Sequence, residues 1–337
     1  MKSQDNAMKK NAEEYQTSII SGKHRLMIAM LFPALILFFL PSKAWGEEEE
    51  VYLYTSFHEP STDGLRYLYS EDGLHWDSIP GIWLVPEQGK VLRDPSIIMD
   101  SDSTFHLVWT TQWKGNKSFG YAKSHDLIHW TEVKEIEIMS GKETDNVWAP
   151  ELFYDEDNGK FLIIWASRIP EREYTAADTL GKNACHRLWY TTTKDFLSFS
   201  EPQRYYDPGF NSIDGYLIKR ANANYVLILK DNRKPGYSHL FCAFSSSPYG
   251  PFHSPSTAFS PTASEGPCAI PTDDGWIIYY DHYGNHRFGA VFTTDFRSFS
   301  PIDEHISLPQ NHKHGSIIKV KRKIIDEILS SASKHNA

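Results

Sequence analysis

The chain has 337 residues, of which 14% are aromatic and 23% charged, and its formal net charge at pH 7 is −9. This length suffices for one large domain or two of ordinary size. The acidic balance excludes nucleic acid as an expected partner, because a protein that binds phosphates needs a basic surface. The only cysteines are Cys185, Cys242 and Cys268, with no CxxC spacing. They favour buried free thiols over a disulfide framework or a zinc site.

The N-terminal segment has the pattern of an export signal. Residues 26–40 are apolar and carry no charge, Lys23 and Arg25 precede them, and small residues follow up to Gly46. This pattern is typical of a secretory signal peptide, and the run is shorter than the roughly 20 residues that span a membrane. We therefore expect residues 1–46 to be a signal peptide, with an uncleaved anchor as the alternative. The protein is expected to be secreted or periplasmic, with no stable membrane span.

One pattern recurs through the rest of the chain. A polar or charged opening leads into a short apolar run, and a turn then leads into a stronger apolar strand, at intervals of roughly 50 to 60 residues. The five copies open near Asp94, Glu151, Asp214, Glu265 and His314. No long amphipathic helix competes with these strands, and a turn followed by an aromatic residue ends four of the units.

This repeat predicts an all-β fold, a five-bladed β-propeller over residues 47–320. The fifth unit has too little chain after it to complete a sheet, whereas two strands near 51–57 and 65–69 precede the first unit. We expect the N-terminal strands to pair with the C-terminal blade and close the ring, since closure removes open sheet edges. Residues 321–337 are expected to form a C-terminal tail with a short helix.

The opening strands of propeller blades line the central axis, so the residues at their starts should converge. Carboxyl groups brought together push one another's pKa values apart. Glycoside hydrolysis needs such a separation, because one carboxyl must donate a proton while another stays ionised. Simpler roles remain open: Asp94 could pair with Arg93, Asp214 could lie in an ordinary bend, and Glu265 could cap the strand that follows it.

Five motifs in this order resemble the signature of glycoside hydrolase family 43, whose members are five-bladed propellers acting on arabinose-, xylose- or galactose-containing glycans. They are Arg93-Asp94-Pro95, Trp148-Ala149-Pro150-Glu151, Ile213-Asp214, Glu265-Gly266-Pro267 and His314-Gly315. The resemblance implies that Asp94 is the general base, that Glu265 is the general acid, and that Asp214 tunes and orients the acid. It also implies inversion of configuration, which agrees with a base and an acid far enough apart to admit a water.

The resemblance also suggests a possible metal position, and it shows one residue that differs from the family pattern. No cofactor is required, but His314 matches the position at which family members often hold a calcium ion or a water in the axial channel. Family members commonly have Asp after Trp-Ala-Pro, whereas this chain has Glu151. Glu151 could contact sugar hydroxyls or form a structural hydrogen bond.

Further residues are expected to contact the sugar. They are Arg93, Trp113, Trp148, Glu151, Lys230 and His282. Packing between blades is the alternative for the tryptophans, and surface solvation is the alternative for Lys230 and His282. The polar insertion at 168–186 is too long for a hairpin turn and is expected to be a rim loop that affects specificity.

The predicted protein is a monomeric glycoside hydrolase that cleaves terminal glycosidic bonds of plant polysaccharides or oligosaccharides, as an α-L-arabinofuranosidase or a β-xylosidase. One alternative is a non-catalytic carbohydrate-binding propeller, which the departure at Glu151 would support. Another is an exo-galactanase-type hydrolase of the same family. A third is the fructose-processing propeller clan, which shares the Arg-Asp-Pro element, although His58-Glu59-Pro60 is a poor match for its nucleophile.

Overall fold

The structure is a computed structural model that describes residues 49–144, 146–168, 185–221, 224–233 and 236–335. The predicted signal segment 1–46 and most of the predicted rim loop, residues 169–184, lie outside the described residues. Strands dominate the described part of the chain and form five antiparallel sheets. The predicted all-β, five-bladed propeller is confirmed.

Four of the five blades are built from consecutive strands, in chain order from the inside of the ring to the outside. Blade 2 contains β4 (Arg93–Met99), β5 (Phe105–Thr110), β6 (Ser118–Ser124) and β7 (Thr131–Glu137). Blade 3 contains β8 (Trp148–Asp155), β9 (Lys160–Arg168), β10 (His186–Thr193) and β11 (Gln203–Tyr206). Blade 4 contains β12 (Ser212–Arg220), β13 (Asn224–Asp231) and β14 (His239–Ser245). Blade 5 contains β15 (Glu265–Pro271), β16 (Trp276–His282), β17 (Arg287–Thr293) and the short β18 (Ser300–Pro301).

Blade 1 combines strands from both ends of the described chain. Its members are β1 (Glu50–His58), β2 (Leu65–Ser70), β3 (Asp77–Leu84), β19 (His312–Lys313) and β20 (Ile317–Lys321). Strand β20 pairs with β1 along its length, on the side opposite β2, and β19 pairs with the last residues of β1. The innermost position in this blade is therefore occupied by the last strand of the chain.

The same hydrogen-bonded turn occurs in four of the five blades. In blade 3, the Thr193 hydroxyl accepts a hydrogen bond from the amide of Phe196, and Asp195 Oδ1 accepts from the amides of Leu197 and Ser198. The same bonds recur at Asp72, Asp126 and Asp295. Phe196 has a left-handed backbone and is 1% exposed, and its ring stacks on Tyr121 of blade 2 with 4.2 Å between centroids. In blades 2, 3 and 5 the turn thus fixes a buried side chain, Leu127, Phe196 or Phe296, whereas blade 1 has Gly73 at this position.

The C-terminal tail contains the predicted helix, α1 (Arg322–His335). It begins directly after β20 and packs against β3. Ile325 and Ile328 are fully buried in the core that also contains Val51 and Leu53. Among the described residues, no helix is long and apolar enough to cross a membrane.

Candidate active site

The start of each opening strand in blades 2 to 5 contains a β-bulge, at which the pairing register shifts. The second residue of each bulge has a left-handed backbone, with φ between 45° and 55° at Asp94, Ala149, Asp214 and Gly266. A bulge bends the strand and changes the direction of its side chains. The sequence pattern that repeats along the chain therefore corresponds to a β-bulge at the start of four opening strands.

The bulges show that the predicted acidic residues are not equivalent to one another. Asp94 and Asp214 occupy the left-handed position itself. Glu265 precedes its bulge, at the position that Arg93 has in blade 2. Glu151 follows its bulge. These carboxyl groups consequently lie at different depths, which the sequence pattern alone did not reveal.

A pocket at this end of the axis brings the predicted residues together. It contains about 300 Å³ of empty space, which includes solvent at its open mouth. Its walls include Asp94, Glu151, Asp214 and His314, together with the backbone at Gly266. The convergence predicted from propeller geometry is thus present in the structure.

Asp94 is held as an ionised carboxylate. Its Oδ1 lies 2.9 Å from Nε2 of His314, and its Oδ2 accepts a hydrogen bond of 2.7 Å from the Thr110 hydroxyl. Burial alone would raise the pKa of Asp94, but the hydrogen bond from His314 and the positive charge of Arg93 lower it to about 2. A carboxylate in this state can accept a proton from water.

His314 connects Asp94 to a second buried carboxylate. Its Nδ1 lies 3.5 Å from Asp281 Oδ2, and Lys313 Nζ lies 3.1 Å from the same oxygen. Burial alone would lower the pKa of His314, but its hydrogen bonds to Asp281 and Asp94 raise it to about 10. The ring is therefore an imidazolium whose two N–H groups orient two carboxylates.

Asp214 lines the pocket, whereas Glu265 lies next to the wall residue Gly266 and is not itself part of the wall. Asp214 Oδ2 accepts a hydrogen bond of 3.1 Å from the amide of Gly266, and Lys230 Nζ lies 2.8 Å from Glu265 Oε2. Burial and the negative charge of Glu265 raise the pKa of Asp214 to about 6, against the opposing effect of Lys230. Burial also acts to raise the pKa of Glu265, but the charge of Lys230 lowers it below its ordinary value.

Glu151 is a neutral acid at neutral pH. It is enclosed near Ser96, Tyr216 and Cys268, which occupy the corresponding position after the bulge in the other three strands. Burial raises the pKa of Glu151 to about 8, although a hydrogen bond with Ser96 acts in the opposite direction. The longer side chain that replaces the family's usual Asp thus lines the pocket as a protonated hydrogen-bond donor.

The mouth of the pocket is aromatic and basic. The Arg93 guanidinium lies 3.8 Å from the ring centre of Trp113 and 4.7 Å from that of Phe57, and it forms an ion pair with Glu59. The Trp148 indole donates a hydrogen bond of 3.0 Å to the carbonyl of Trp113. Trp113 remains 49% exposed. These contacts give the rim a fixed shape against which a sugar ring could pack.

Two residues expected to contact sugar at the rim are buried. Lys230 is 3% exposed and faces Glu265 as well as the Tyr283 ring, at 5.0 Å from its centre. His282 is 8% exposed, with its Nδ1 3.5 Å from the Asn285 side-chain nitrogen. The alternative of surface solvation is therefore wrong for both.

The residues around His314 do not fit the calcium ion that the family resemblance implies. Glu265, Asp281 and His314 each offer one ligand atom, and these atoms lie within 4.8 Å of one another. Calcium takes roughly six to eight oxygen ligands, whereas this group has two carboxylates that already pair with Lys230 and Lys313. Because His314 uses both ring nitrogens as donors, it acts here as a hydrogen-bonding group.

Comparison with known sequences identifies the family. The model of a glycosyl hydrolase 43-related family, described as a probable glycosyl hydrolase domain, matches residues 47–326. The chain belongs to this family. The resemblance that the five motifs carry is therefore confirmed at the level of the family.

One curated relative and several solved structures are similar to this family member. An α-L-arabinofuranosidase of Bifidobacterium longum subsp. longum is 27% identical over 130 residues, which are 36% of this chain but 12% of that enzyme. A thermostable family-43 glycoside hydrolase superposes with a TM-score of 0.53 at 15% identity, covering 68% of this chain and 80% of that one. An endo-arabinase of Bacteroides thetaiotaomicron gives 0.51 at 14% identity, covering 68% and 85%. At sequence identities this low, the structural similarity shows that the fold is shared.

Several residues of this pocket were not found from the sequence. Thr110 and Asp281 end second strands, where the strand pattern gives no reason to distinguish them from packing residues. Glu59 and Lys313, both of blade 1, act through ion pairs with neighbouring blades, Glu59 with Arg93 of blade 2 and Lys313 with Asp281 of blade 5. A signal was available for Asp281, since a carboxyl closing an apolar strand is rare unless it is paired.

Proposed function

We propose that the protein hydrolyses the terminal glycosidic bond of arabinose- or xylose-containing plant glycans with inversion, releasing arabinofuranose or xylose. The observation that supports this most directly is a pair of carboxyl sites on one pocket with opposite ionisation. Asp94 is ionised down to a pH of about 2, whereas the Asp214–Glu265 pair keeps a proton up to a pH of about 6. Such a separation is what an acid and a base need in order to act together.

Asp94 is the proposed general base. His314 and Thr110 each occupy one acceptor direction of its carboxylate, and the remaining lone pairs can accept from a water. The water oxygen forms a bond to the anomeric carbon while one of its protons passes to Asp94. Because water attacks from the side opposite the leaving oxygen, the sugar is released with inverted configuration.

Glu265 is the proposed general acid, and its proton must come from the pair that it forms with Asp214. The two groups titrate together, because they are close and share Lys230 as a neighbour. In the structure Lys230 favours ionised Glu265, so the proton resides on Asp214. Catalysis then requires that the bound substrate loosen the Lys230 contact and that the proton move to Glu265, from which it passes to the leaving oxygen as the glycosidic bond breaks.

The proposed order of candidate sugars is based on the names of similar proteins. The Bifidobacterium longum relative is named as an α-L-arabinofuranosidase, although the similarity covers a small part of that enzyme. An exo-β-1,3-galactanase of Phanerochaete chrysosporium shares the fold at 13% identity, with a TM-score of 0.51, covering 67% of this chain and 53% of that one. Arabinofuranosides are therefore the first substrates to try, with xylosides next and galactosides as the contrast.

The test is a screen of chromogenic arabinofuranosides, xylosides and galactosides, followed by Asp94→Asn and Glu265→Gln in the active enzyme. Each variant should lose about a thousandfold or more in kcat while keeping the wild-type melting temperature. Asp102→Asn, at an exposed position on blade 2, is the control and should be fully active. NMR of the first product should show the anomer opposite to that of the substrate. Retained turnover in either variant, or a product of the same configuration, would overturn the assignment.

We also propose that the protein is exported and acts as a monomer outside the cytoplasm. The support is the sequence pattern of residues 1–46. N-terminal sequencing of protein recovered from a producing cell should begin within a few residues of Gly46, and light scattering should give the mass of one chain. Protein recovered with the leader intact in the cytoplasm would contradict the proposed location.

A further inference from the structure

Two backbone amides in the opening strand of blade 3 donate hydrogen bonds to buried hydroxyls of blade 2. The Ala149 amide lies 2.8 Å from Thr110 Oγ1, and the Leu152 amide lies 3.0 Å from Ser96 Oγ. The bond at Thr110 is the one that reaches the proposed base, because the Thr110 hydroxyl also donates to Asp94. Thr110 thus lies between the bulge of blade 3 and the carboxylate of blade 2.

The bulge in β8 leaves the Ala149 amide available to a neighbouring blade. The register of β8 with β9 shifts between Trp148 and Glu151, so neither Ala149 nor Pro150 has a partner in that ladder. Ala149 has a φ of 45°, a left-handed value that is uncommon for a residue with a Cβ, and Pro150 has no N–H to donate. The Ala149 amide therefore needs an acceptor outside the ladder, and Thr110 supplies it.

The boundary between blades 4 and 5 shows the same arrangement in a simpler form. There the amide of Gly266, at the equivalent left-handed position of β15, donates directly to Asp214 Oδ2 at 3.1 Å. Asp214 and Asp94 also occupy equivalent positions, since each is the left-handed residue of its own bulge. In both cases a bulge amide of the following blade supports the aspartate of the preceding blade, directly for Asp214 and through the Thr110 hydroxyl for Asp94.

The hydrogen-bonding capacity of Thr110 fixes the direction of its contact with Asp94. A hydroxyl has one proton and two acceptor lone pairs. The Ala149 amide can only donate, so it occupies an acceptor position of Thr110 Oγ1, and the hydroxyl proton is donated to Asp94 Oδ2 at 2.7 Å. Because Thr110 is 0% exposed, a carboxylate turned away from it, or a proton placed on Oδ2, would leave a buried hydroxyl without an acceptor. Thr110 therefore favours an ionised Asp94 in one orientation.

We propose that Thr110 is a positioning residue for the reaction, which connects the bulge of blade 3 to Asp94 and holds the plane of this carboxylate toward the attacking water. This inference rests on the proposed function and deepens it. His314 holds Oδ1 at 2.9 Å and Thr110 holds Oδ2, so two donors on different oxygens prevent the carboxylate from rotating about its Cβ–Cγ bond. With His314 alone, one oxygen would be held and the plane of the carboxylate could turn.

The kinetic test is Thr110→Val, which keeps the shape of the side chain and removes the hydroxyl. We expect kcat to fall about ten- to a hundredfold, because the base is no longer held in line with the water. KM should change by less than about twofold, because Thr110 is buried. The hydrogen bond from Thr110 helps to lower the pKa of Asp94, so its loss should move the acidic limb of the kcat/KM profile to higher pH. Thr110→Ser keeps the hydroxyl and should restore both kcat and the acidic limb.

Thr191→Val is the matched control. Thr191 is also 0% exposed, and its hydroxyl donates a hydrogen bond of 2.7 Å to the carbonyl of Ser200, but its strand β10 lies two strands outside the opening strand of blade 3. This variant should lose a similar amount of melting temperature and keep the kcat and the pH profile of the wild type. Equal losses of kcat in the two valine variants, an acidic limb that stays in place, or no recovery in Thr110→Ser would overturn the proposal. If Thr110→Val does not fold, Thr110→Cys, whose thiol is a weaker donor, replaces it with the same direction of change expected.

Crystal structures of the wild type and of the two Thr110 variants test the inference without turnover. In Thr110→Ser, Asp94 Oδ1 should stay at hydrogen-bonding distance from His314 Nε2, as it is at 2.9 Å in the wild type. In Thr110→Val, the carboxylate should turn or occupy two conformers. If the wild type hydrolyses none of the sugars but the carboxylate turns in this way, the proposed function fails while the role of Thr110 in orienting Asp94 stands. If the carboxylate keeps its orientation in Thr110→Val, the inference is wrong whatever the enzyme hydrolyses.

Discussion

The carboxyl groups around the pocket share the same chemistry but differ in protonation because their neighbours differ. Asp94 has an imidazolium, a hydroxyl and a guanidinium around it, and these outweigh its burial. Glu151 has Ser96 as a hydrogen-bonding partner, and its burial prevails. Asp214 lies between these cases because Lys230 and Glu265 act on it in opposite directions. Function at this scale depends on which partner each residue has, as much as on residue type.

The pH dependence of kcat/KM should report the titration of the proton that Asp214 and Glu265 share. Activity needs Asp94 ionised and one proton on this pair, so kcat/KM should fall as the pH rises through about 6, where the raised pKa of Asp214 lies. Lys230→Met removes a cation that lowers the pKa of both groups. The alkaline limb of the profile should therefore move to higher pH, and Lys219→Met, at a more exposed lysine of the same blade, should leave it in place. A limb that moves to lower pH would contradict the proton assignment.

Glu151 should tolerate replacement by its neutral isostere. Since its pKa is raised to about 8, the side chain is already uncharged at the working pH. Glu151→Gln keeps the size and a hydrogen-bond donor, so kcat/KM at pH 6 should stay within about threefold of the wild type, without loss of thermal stability. A loss of a hundredfold, measured on the same chromogenic glycoside, would show that Glu151 acts as an ionised group.

The sequence predicted which residues lie at the site but not which of them contact one another. The positions of Asp94, Asp214 and Glu265 followed from the family motifs; Asp94 and Asp214 line one pocket, and Glu265 lies next to its wall residue Gly266. The pairing of Lys230 with Glu265 and the depth of Glu151 could not be predicted. Both depend on how strands of different blades approach the axis, which no local pattern encodes.

Among the elements, the bulged opening strands position the site. The backbone of Gly266 adopts φ 55°, and a Cβ added there would lie 2.0 Å from Cγ of His314. The glycine of the Glu-Gly-Pro motif is thus needed both for its left-handed conformation and for the close approach of the imidazolium. This residue links the strand that carries the acid to the ring that orients the base.

Gly266→Ala should displace His314 and so disturb Asp94. We expect at least a hundredfold loss of kcat, together with about 1–3 kcal/mol of lost unfolding free energy from the clash. Gly159→Ala is the control, because its φ of 57° is nearly the same and nothing lies within 4 Å of the added Cβ. Denaturation and initial-rate measurements on both variants separate the two effects. If the two alanines behave alike, the contact with His314 has no role in positioning.

Sequence patterns predicted the inner and middle strands better than the outer ones. Opening strands and hairpin partners are apolar and end at clear turns, as in β5, which is buried throughout. The outer strand β7 is largely exposed and rich in Lys and Glu, so it lacks the alternation that marks a half-buried strand. In blade 4 the outer edge is the irregular segment 253–259, which forms one bridge, between Phe244 and His253, and donates backbone hydrogen bonds to Cys242 and Leu240. Nothing in the sequence of that segment resembles a strand.

For the whole molecule, ring closure depends on a strand from each end of the described chain. Tyr54 pairs with Ile317 and Glu50 with Lys321, with the strand β1 held between β20 and β2. The Ser316 hydroxyl also accepts a hydrogen bond of 2.8 Å from the Ile97 amide, in the opening strand of blade 2. Blade 1 thus joins its own strands and the neighbouring blade through the last part of the propeller.

Removing β20 should prevent the ring from forming. A chain that ends at Ser316 exposes the paired edge of β1, and we expect it to aggregate and to show no cooperative thermal transition. A chain that ends at Lys321 loses only α1; it should fold, with a free energy of unfolding lower by roughly 3 kcal/mol or more, because Ile325 and Ile328 are buried. Size-exclusion chromatography and calorimetry distinguish these outcomes. A monomeric, cooperatively folded chain ending at Ser316 would show that closure does not require β20.

The direction of β1 decides which way an anchored enzyme would face. The strand runs from Glu50, opposite Lys321, to Phe57, opposite Lys313 beside the imidazolium of the pocket. Nine extended residues cover about 30 Å, so this attachment point and the mouth of the pocket lie on opposite faces of the disc. An enzyme immobilised on a bead or a resin through a linker at Glu50 would present its sugar-binding face to the solution. Large polymers could then reach the pocket without steric hindrance from the support.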